Sequence, residues 1–181
     1  MELLLRPKQF FNQNQSIKTI VGLVLLSLFM STVFLTFFII DLLVDKPLST
    51  GKQLASIIFI FLLTIPLYFI LNFLSTVLTS IYMYFFHKAF ILRKMYLVIL
   101  VYNAFLLLVN SAAIYCVMVL QLDNYFLLIQ IVSFLFNLYL LRILYDGIIY
   151  YAEGSKKAAL ATVILYMLVT TAFVIGGFIN G

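Results

Sequence analysis

Apolar residues run through this chain in long stretches, and the polar and charged residues gather in short clusters between them. A bilayer crossing needs about 20 mainly apolar residues, and five stretches reach that length: 19–43, 53–86, 95–119, 124–144 and 158–179. Hydrocarbon offers the backbone no hydrogen-bond partner, and these runs far exceed the roughly 9–11 residues of a barrel strand, so each predicts a helix. The connections are short and polar: Asp45-Lys46-Pro47 with Ser49-Thr50-Gly51-Lys52, His87-Lys88 with Arg93-Lys94, Gln121-Leu122-Asp123, and residues 146–157. There is no internal repeat and no low-complexity linker. The pattern predicts an all-α integral membrane protein, a bundle of about five transmembrane helices forming one domain over residues 1–181.

The second stretch is too long for a simple crossing. Its roughly 34 residues would reach about 51 Å at a helical rise of 1.5 Å per residue, against a hydrocarbon core of about 30 Å. Pro66 offers a kink because it removes a backbone donor, and a break near Asn72 would turn the stretch into a re-entrant hairpin. Charge decides between these. With one crossing per stretch, Arg6, Lys8, Lys18, Lys88, Arg93, Lys94, Arg142, Lys156 and Lys157 fall on one side, and only Lys46 and Lys52 on the other. Cytoplasmic loops are enriched in Lys and Arg, so the asymmetry predicts a cytoplasmic N-terminus and an outward C-terminus. A hairpin would carry residues 88–94 across and spoil the pattern, which favours one long kinked or protruding crossing.

Composition agrees with a membrane solvent. The chain is 66% hydrophobic and 9% charged, where a soluble domain carries about 25% charged residues. The net charge of +5 is divided among short loops and forms no continuous patch, so nucleic acid is not an expected partner. The lone Cys116 has no second cysteine to pair with, which excludes an internal disulfide and a cysteine-based metal site. The first stretch runs on for about 25 residues without an A-x-A-like cleavage site and reads as an uncleaved anchor. Ahead of it, Leu3, Leu4, Leu5, Phe10 and Phe11 mixed with Arg6 and Lys8 suit a short N-terminal interfacial segment over residues 1–16, lying on the cytoplasmic leaflet near anionic lipid; a frayed tail is the plainer alternative.

Common catalytic signatures are missing: H-E-x-x-H, G-x-S-x-G, a glycine-rich phosphate loop and paired intramembrane carboxylates do not occur. The chain is therefore expected to be no enzyme and to need no cofactor and no metal. His87 completes no constellation and reads as a loop residue. Arg142 and Asp146, spaced i, i+4, can pair near the cytoplasmic end of the fourth helix, as an anchor or as part of a binding site. Asp41 reads as an interfacial acid. Asn72, Ser75, Thr76, Thr79 and Ser80 share one face of the second helix, with Tyr68 a turn earlier. Hydroxyls and amides in membranes bond across helix interfaces, so this stripe is expected to pack against other helices; the sharper alternative is a path for a polar substrate. Asn103 and Asn110 on the third helix and Asn137 on the fourth are candidate partners for it. Gly176 and Gly177 hint at close helix approach in the last helix.

Arg6-Pro7-Lys8-Gln9-Phe10-Phe11 before the first span, residues 90–102 leading into the third, and residues 145–161 with Glu153-Gly154-Ser155-Lys156-Lys157-Ala158-Ala159-Leu160 before the last together resemble the Yip1 domain family of five-span membrane proteins. The resemblance covers nearly the whole chain. It implies a protein without catalytic residues; eukaryotic members act in vesicle traffic and bind Rab-type GTPases through cytoplasmic parts. The N-terminus here, about 16 residues by the span boundaries above, is shorter than the tail those proteins use, so the resemblance points to a compact bacterial-type member in the plasma membrane. The expected function is a scaffold or accessory subunit whose partners are membrane lipids and another membrane protein or a second copy of the chain. The alternative is a small transporter or lipid-handling protein using the polar face of the second helix.

Overall fold

A computed structural model describes residues 2–13, 15–43, 49–85 and 91–180; the side chains of residues 2, 41–43, 123 and 172–180 lie outside the description. Two short helices, α1 (Glu2–Leu5) and α2 (Pro7–Asn12), precede five long ones: α3 (Ile17–Leu43), α4 (Thr50–Tyr84), α5 (Leu92–Ile114), α6 (Phe126–Tyr150) and α7 (Lys156–Asn180). No strand occurs among the described residues. Among the described residues, four helical stretches are long and apolar enough to cross a membrane: Ile17–Ile40, Thr50–Tyr84, Leu92–Val119 and Phe126–Tyr150. The readings made for His87, Asp45 and Lys46 fall outside the described residues, as do those for the side chains of Asp41 and Asp123 and for the surroundings of Gly176 and Gly177.

α5 is the axis of the bundle. It packs against α3, α4 and α6, while α7 lies on α6 and α4, its backbone standing off that of α5 with the Tyr102 and Tyr166 rings meeting at 5.4 Å across the gap. Leu97, Val98, Ile99, Leu100, Val101 and Tyr102 are buried in succession, so this part of α5 is enclosed on every side. Small hydroxyl residues let α3 come close to it: Ser27, Ser31, Thr32 and Thr36 are all buried. The last three return their hydroxyls to their own helix, donating to the carbonyls four residues back at 2.8, 2.8 and 2.7 Å. α6 crosses α5 at Gly147, where a Cβ would stand 2.6 Å from Val98 Cγ1 and 3.1 Å from the Phe11 ring. At its far end α5 passes into a π-helical turn, Tyr115–Val119, and Gln121 at φ 52° redirects the chain toward α6.

α4 is helical without interruption through both Pro66 and Asn72 for 35 residues, about 52 Å at the usual rise. A re-entrant hairpin broken at Asn72 does not form.

The N-terminal segment departs from the sequence expectation. Its apolar side does not lie free for a leaflet but turns into the bundle, with Leu3, Phe10 and Phe11 buried in the main core. Pro7 opens α2 at a position where its missing N–H costs nothing. The Phe11 ring reaches Tyr151 at 5.7 Å between centroids, and the Tyr139 hydroxyl donates to the Leu4 carbonyl at 2.6 Å. Once these contacts are available, packing wins over lipid because it fixes aromatic rings against each other at the same apolar gain.

Candidate functional site

Two polar constellations stand out. The first gathers at the end of the bundle where α2, the start of α5, the end of α6 and the start of α7 meet. Here the Ile91 N–H donates to the Ala152 carbonyl at 3.1 Å, and Lys94 pairs with Glu153 at 2.7 Å. Lys94 and Lys8 also sit over the Tyr151 and Tyr150 rings, at 5.5 and 5.1 Å from their centroids. Burial pushes the Tyr151 phenol above its ordinary value, against the pull of Lys94 and Arg93, so this ring stays neutral.

Arg142 and Asp146 meet at 3.7 Å between Nε and Oδ2, with the arginine side chain 55% exposed and the aspartate 11%. α2 packs against α6 beside this pair, with the Phe11 ring over Gly147.

The second constellation is the α4 stripe and what faces it. Asn72, Thr76 and Thr79 are buried, and Ser75 is half-buried. Most of their bonding is local: Asn72 Nδ2 donates to the Tyr68 carbonyl at 2.9 Å, Thr76 to the Asn72 carbonyl at 2.7 Å and Thr79 to the Ser75 carbonyl at 2.8 Å. Other bonds leave the helix: Asn103 Nδ2 donates to Asn72 Oδ1 at 2.6 Å, the Tyr68 hydroxyl donates to the Leu100 carbonyl at 2.6 Å, and the Tyr166 hydroxyl meets those of Ser75 and Thr79 at 3.0 and 3.3 Å. Such bonds tie α4 to α5 and α7. The Ser80 hydroxyl is buried without a partner among the described residues.

Asn110 and Asn137 do not join that stripe. Asn110 Oδ1 accepts from Asn137 Nδ2 at 3.0 Å and from the Ser133 hydroxyl at 3.3 Å, linking α5 to α6. This amide pair borders a cavity of about 520 Å³ in the gap that α7 leaves beside α5. Asn103, Gln130, Tyr166 and Thr170 also line it, with Leu106, Ala113, Ile114, Phe126 and Val169 as its apolar wall, and of the α4 stripe only Ser75 reaches it. Gln130, Ser133, Tyr166 and Thr170 were not singled out from the sequence. Ser133 and Asn137, like Tyr166 and Thr170, are spaced i, i+4, and that spacing was the available signal.

Among the described residues no group of three or more His, Cys, Asp or Glu could hold a metal ion. Cys116 is half-buried and unpaired. No protein family, no curated protein and no solved structure matches the chain.

Proposed function

We propose that the chain is a non-enzymatic plasma-membrane protein of the Yip1-like type, crossing the bilayer five times with its N-terminus in the cytoplasm and its C-terminus outside. It serves as a scaffold or accessory subunit, and its basic end is the docking face for an acidic membrane partner. The observation that carries this reading is the folded N-terminal end. α2 is held there by the buried Phe10 and Phe11, and Arg6, Lys8, Lys18, Arg93, Arg142, Lys156 and Lys157 are exposed around it. Positive charge held on a rigid support meets a negative surface without first ordering itself, and each basic residue near an anionic leaflet contributes about 1 kcal/mol.

Lys156→Glu with Lys157→Glu tests the reading. Both residues lie in the first turn of α7, where negative charge suits the helix dipole and the fold is kept. Wild-type protein extracted in mild detergent is expected to bring down a stoichiometric membrane partner, and the double variant to lose it. If no partner follows the wild type, or the variant keeps it, the docking role fails. Reporter fusions at the two ends check the topology, and both ends on one side would end the five-crossing arrangement. A second reading, a small transporter or lipid-handling protein, is favoured by the cavity between α5, α6 and α7.

A further inference from the structure

We propose that this cavity is a binding site for an uncharged, hydroxyl-bearing headgroup, of the kind a neutral glycerolipid or a free polyol supplies. The assignment deepens the transporter or lipid-handling reading and stands apart from the docking role.

Three observations lead to it. Asn137 is 4% exposed and its Oδ1 has no hydrogen-bond partner among the described residues, although its Nδ2 is engaged by Asn110. A buried amide oxygen left open in this way costs free energy unless a ligand or water meets it, and the cavity is where a ligand would do so. The second observation is the balance of the pair. The Asn110–Asn137 bond uses one amide oxygen and one amide nitrogen, leaving the Asn137 oxygen as an open acceptor and the Asn110 nitrogen as an open donor group; exchanging oxygen and nitrogen in both amides swaps these two between the residues and still leaves one of each kind. A hydroxyl both donates and accepts, so one or two neighbouring hydroxyls satisfy the pair.

The third observation is charge. No lining residue is ionisable at neutral pH, so the cavity offers no counter-charge to a phosphate, carboxylate or ammonium group. The volume of about 520 Å³ falls within the usual range for small-molecule sites, about 300–1,000 Å³. Ile114, Phe126 and Val169 on its rim are exposed, which suits an acyl chain trailing from a headgroup seated on the asparagines.

The test is thermal unfolding of the full chain in an amine-oxide detergent, whose headgroup carries no hydroxyl, with monoolein, glycerol or oleate added. Monoolein is expected to raise the Tm of the wild type while ionised oleate does not. Asn137→Leu should weaken the apparent affinity for monoolein about tenfold, the equivalent of one lost hydrogen bond to a buried group. Because that substitution alters a buried position, Ala113→Phe serves as a second variant: it fills the cavity, keeps both amides and should abolish the response. A shift produced by glycerol alone supports the site with a free polyol as the source. The proposal is overturned if neither monoolein nor glycerol shifts the wild type, if oleate matches monoolein, or if both variants respond as the wild type does. Lys156→Glu with Lys157→Glu should leave the monoolein response intact, so this site and the docking face fail separately.

Discussion

α4 and α5 are both long, apolar helices of similar hydropathy, yet 6% of the most apolar window of α4 is buried inside the protein and 44% of that of α5. In water such a difference would follow from hydrophobicity. In a bilayer it cannot, because lipid tails are as apolar as leucine and gain nothing by exchanging one helix for another. What separates the two is shape and hydrogen bonding. α5 receives Gly147 of α6 against Val98 and the small hydroxyl residues of α3, so its neighbours close on it from several sides. α4 exposes Leu62, Leu63, Leu67, Ile70, Leu71, Leu74 and Leu78; it packs on α3, with Phe61 against Phe29, and is tied to α5 and α7 along its polar stripe.

The sharpest way to break this contrast is a matched pair of truncations read by thermal unfolding in detergent. Leu100→Ala, at a side chain 1% exposed on α5, is expected to cost about 2–5 kcal/mol. Leu71→Ala, 55% exposed on α4, should change stability by less than about 0.5 kcal/mol. Equal losses would mean that α4 is covered by protein rather than lipid. A smaller effect is expected at the crossing of α6 over α5. Gly147→Val places methyl groups where a Cβ alone already stands 2.6 Å from Val98, and overpacking of that kind costs about 1–3 kcal/mol. A neutral result would show that the two helices can part without loss.

A more modest loss than at Leu100 or Gly147 sharpens the role of the polar stripe. Asn72→Leu removes the acceptor of Asn103 Nδ2, held at 2.6 Å, and should lower stability by about 0.6–2 kcal/mol. If the stripe is instead a path for a substrate, the same change leaves unfolding untouched and stops movement of the substrate in reconstituted vesicles. Intact stability with intact movement would remove Asn72 from both roles.

Much of the helix order was legible because the apolar runs are long enough to span a bilayer, and in hydrocarbon such a run leaves the backbone no choice but a helix. The inward direction of Asn72, Thr76 and Thr79 was legible for a related reason, since lipid gives their side chains no partner. The i, i+4 spacing also marked Arg142 and Asp146 as a pair, and the structure places them at 3.7 Å. Spacing had no means of showing that α2 packs beside this pair, because the two segments are remote in sequence and meet only once α2 folds back onto α6. The N-terminal segment shows the same limit. Leu3, Phe10 and Phe11 satisfy an apolar surface equally well in a leaflet or in a protein groove, and composition does not separate the two.

By itself, then, the sequence determined the long apolar helices and the inward face of the α4 polar stripe, both of which follow from local hydropathy and the backbone's need for hydrogen bonds. Tertiary structure alone decided that α5 is central and α4 peripheral, that Asn110 turns to Asn137 while Asn103 turns to Asn72, and that α7 stands off α5 to leave a cavity. In a medium where every apolar helix is equally soluble, such choices depend on which surfaces interlock and which amides come within about 3 Å of each other. Those are properties of pairs of helices, and no single stretch of chain carries them.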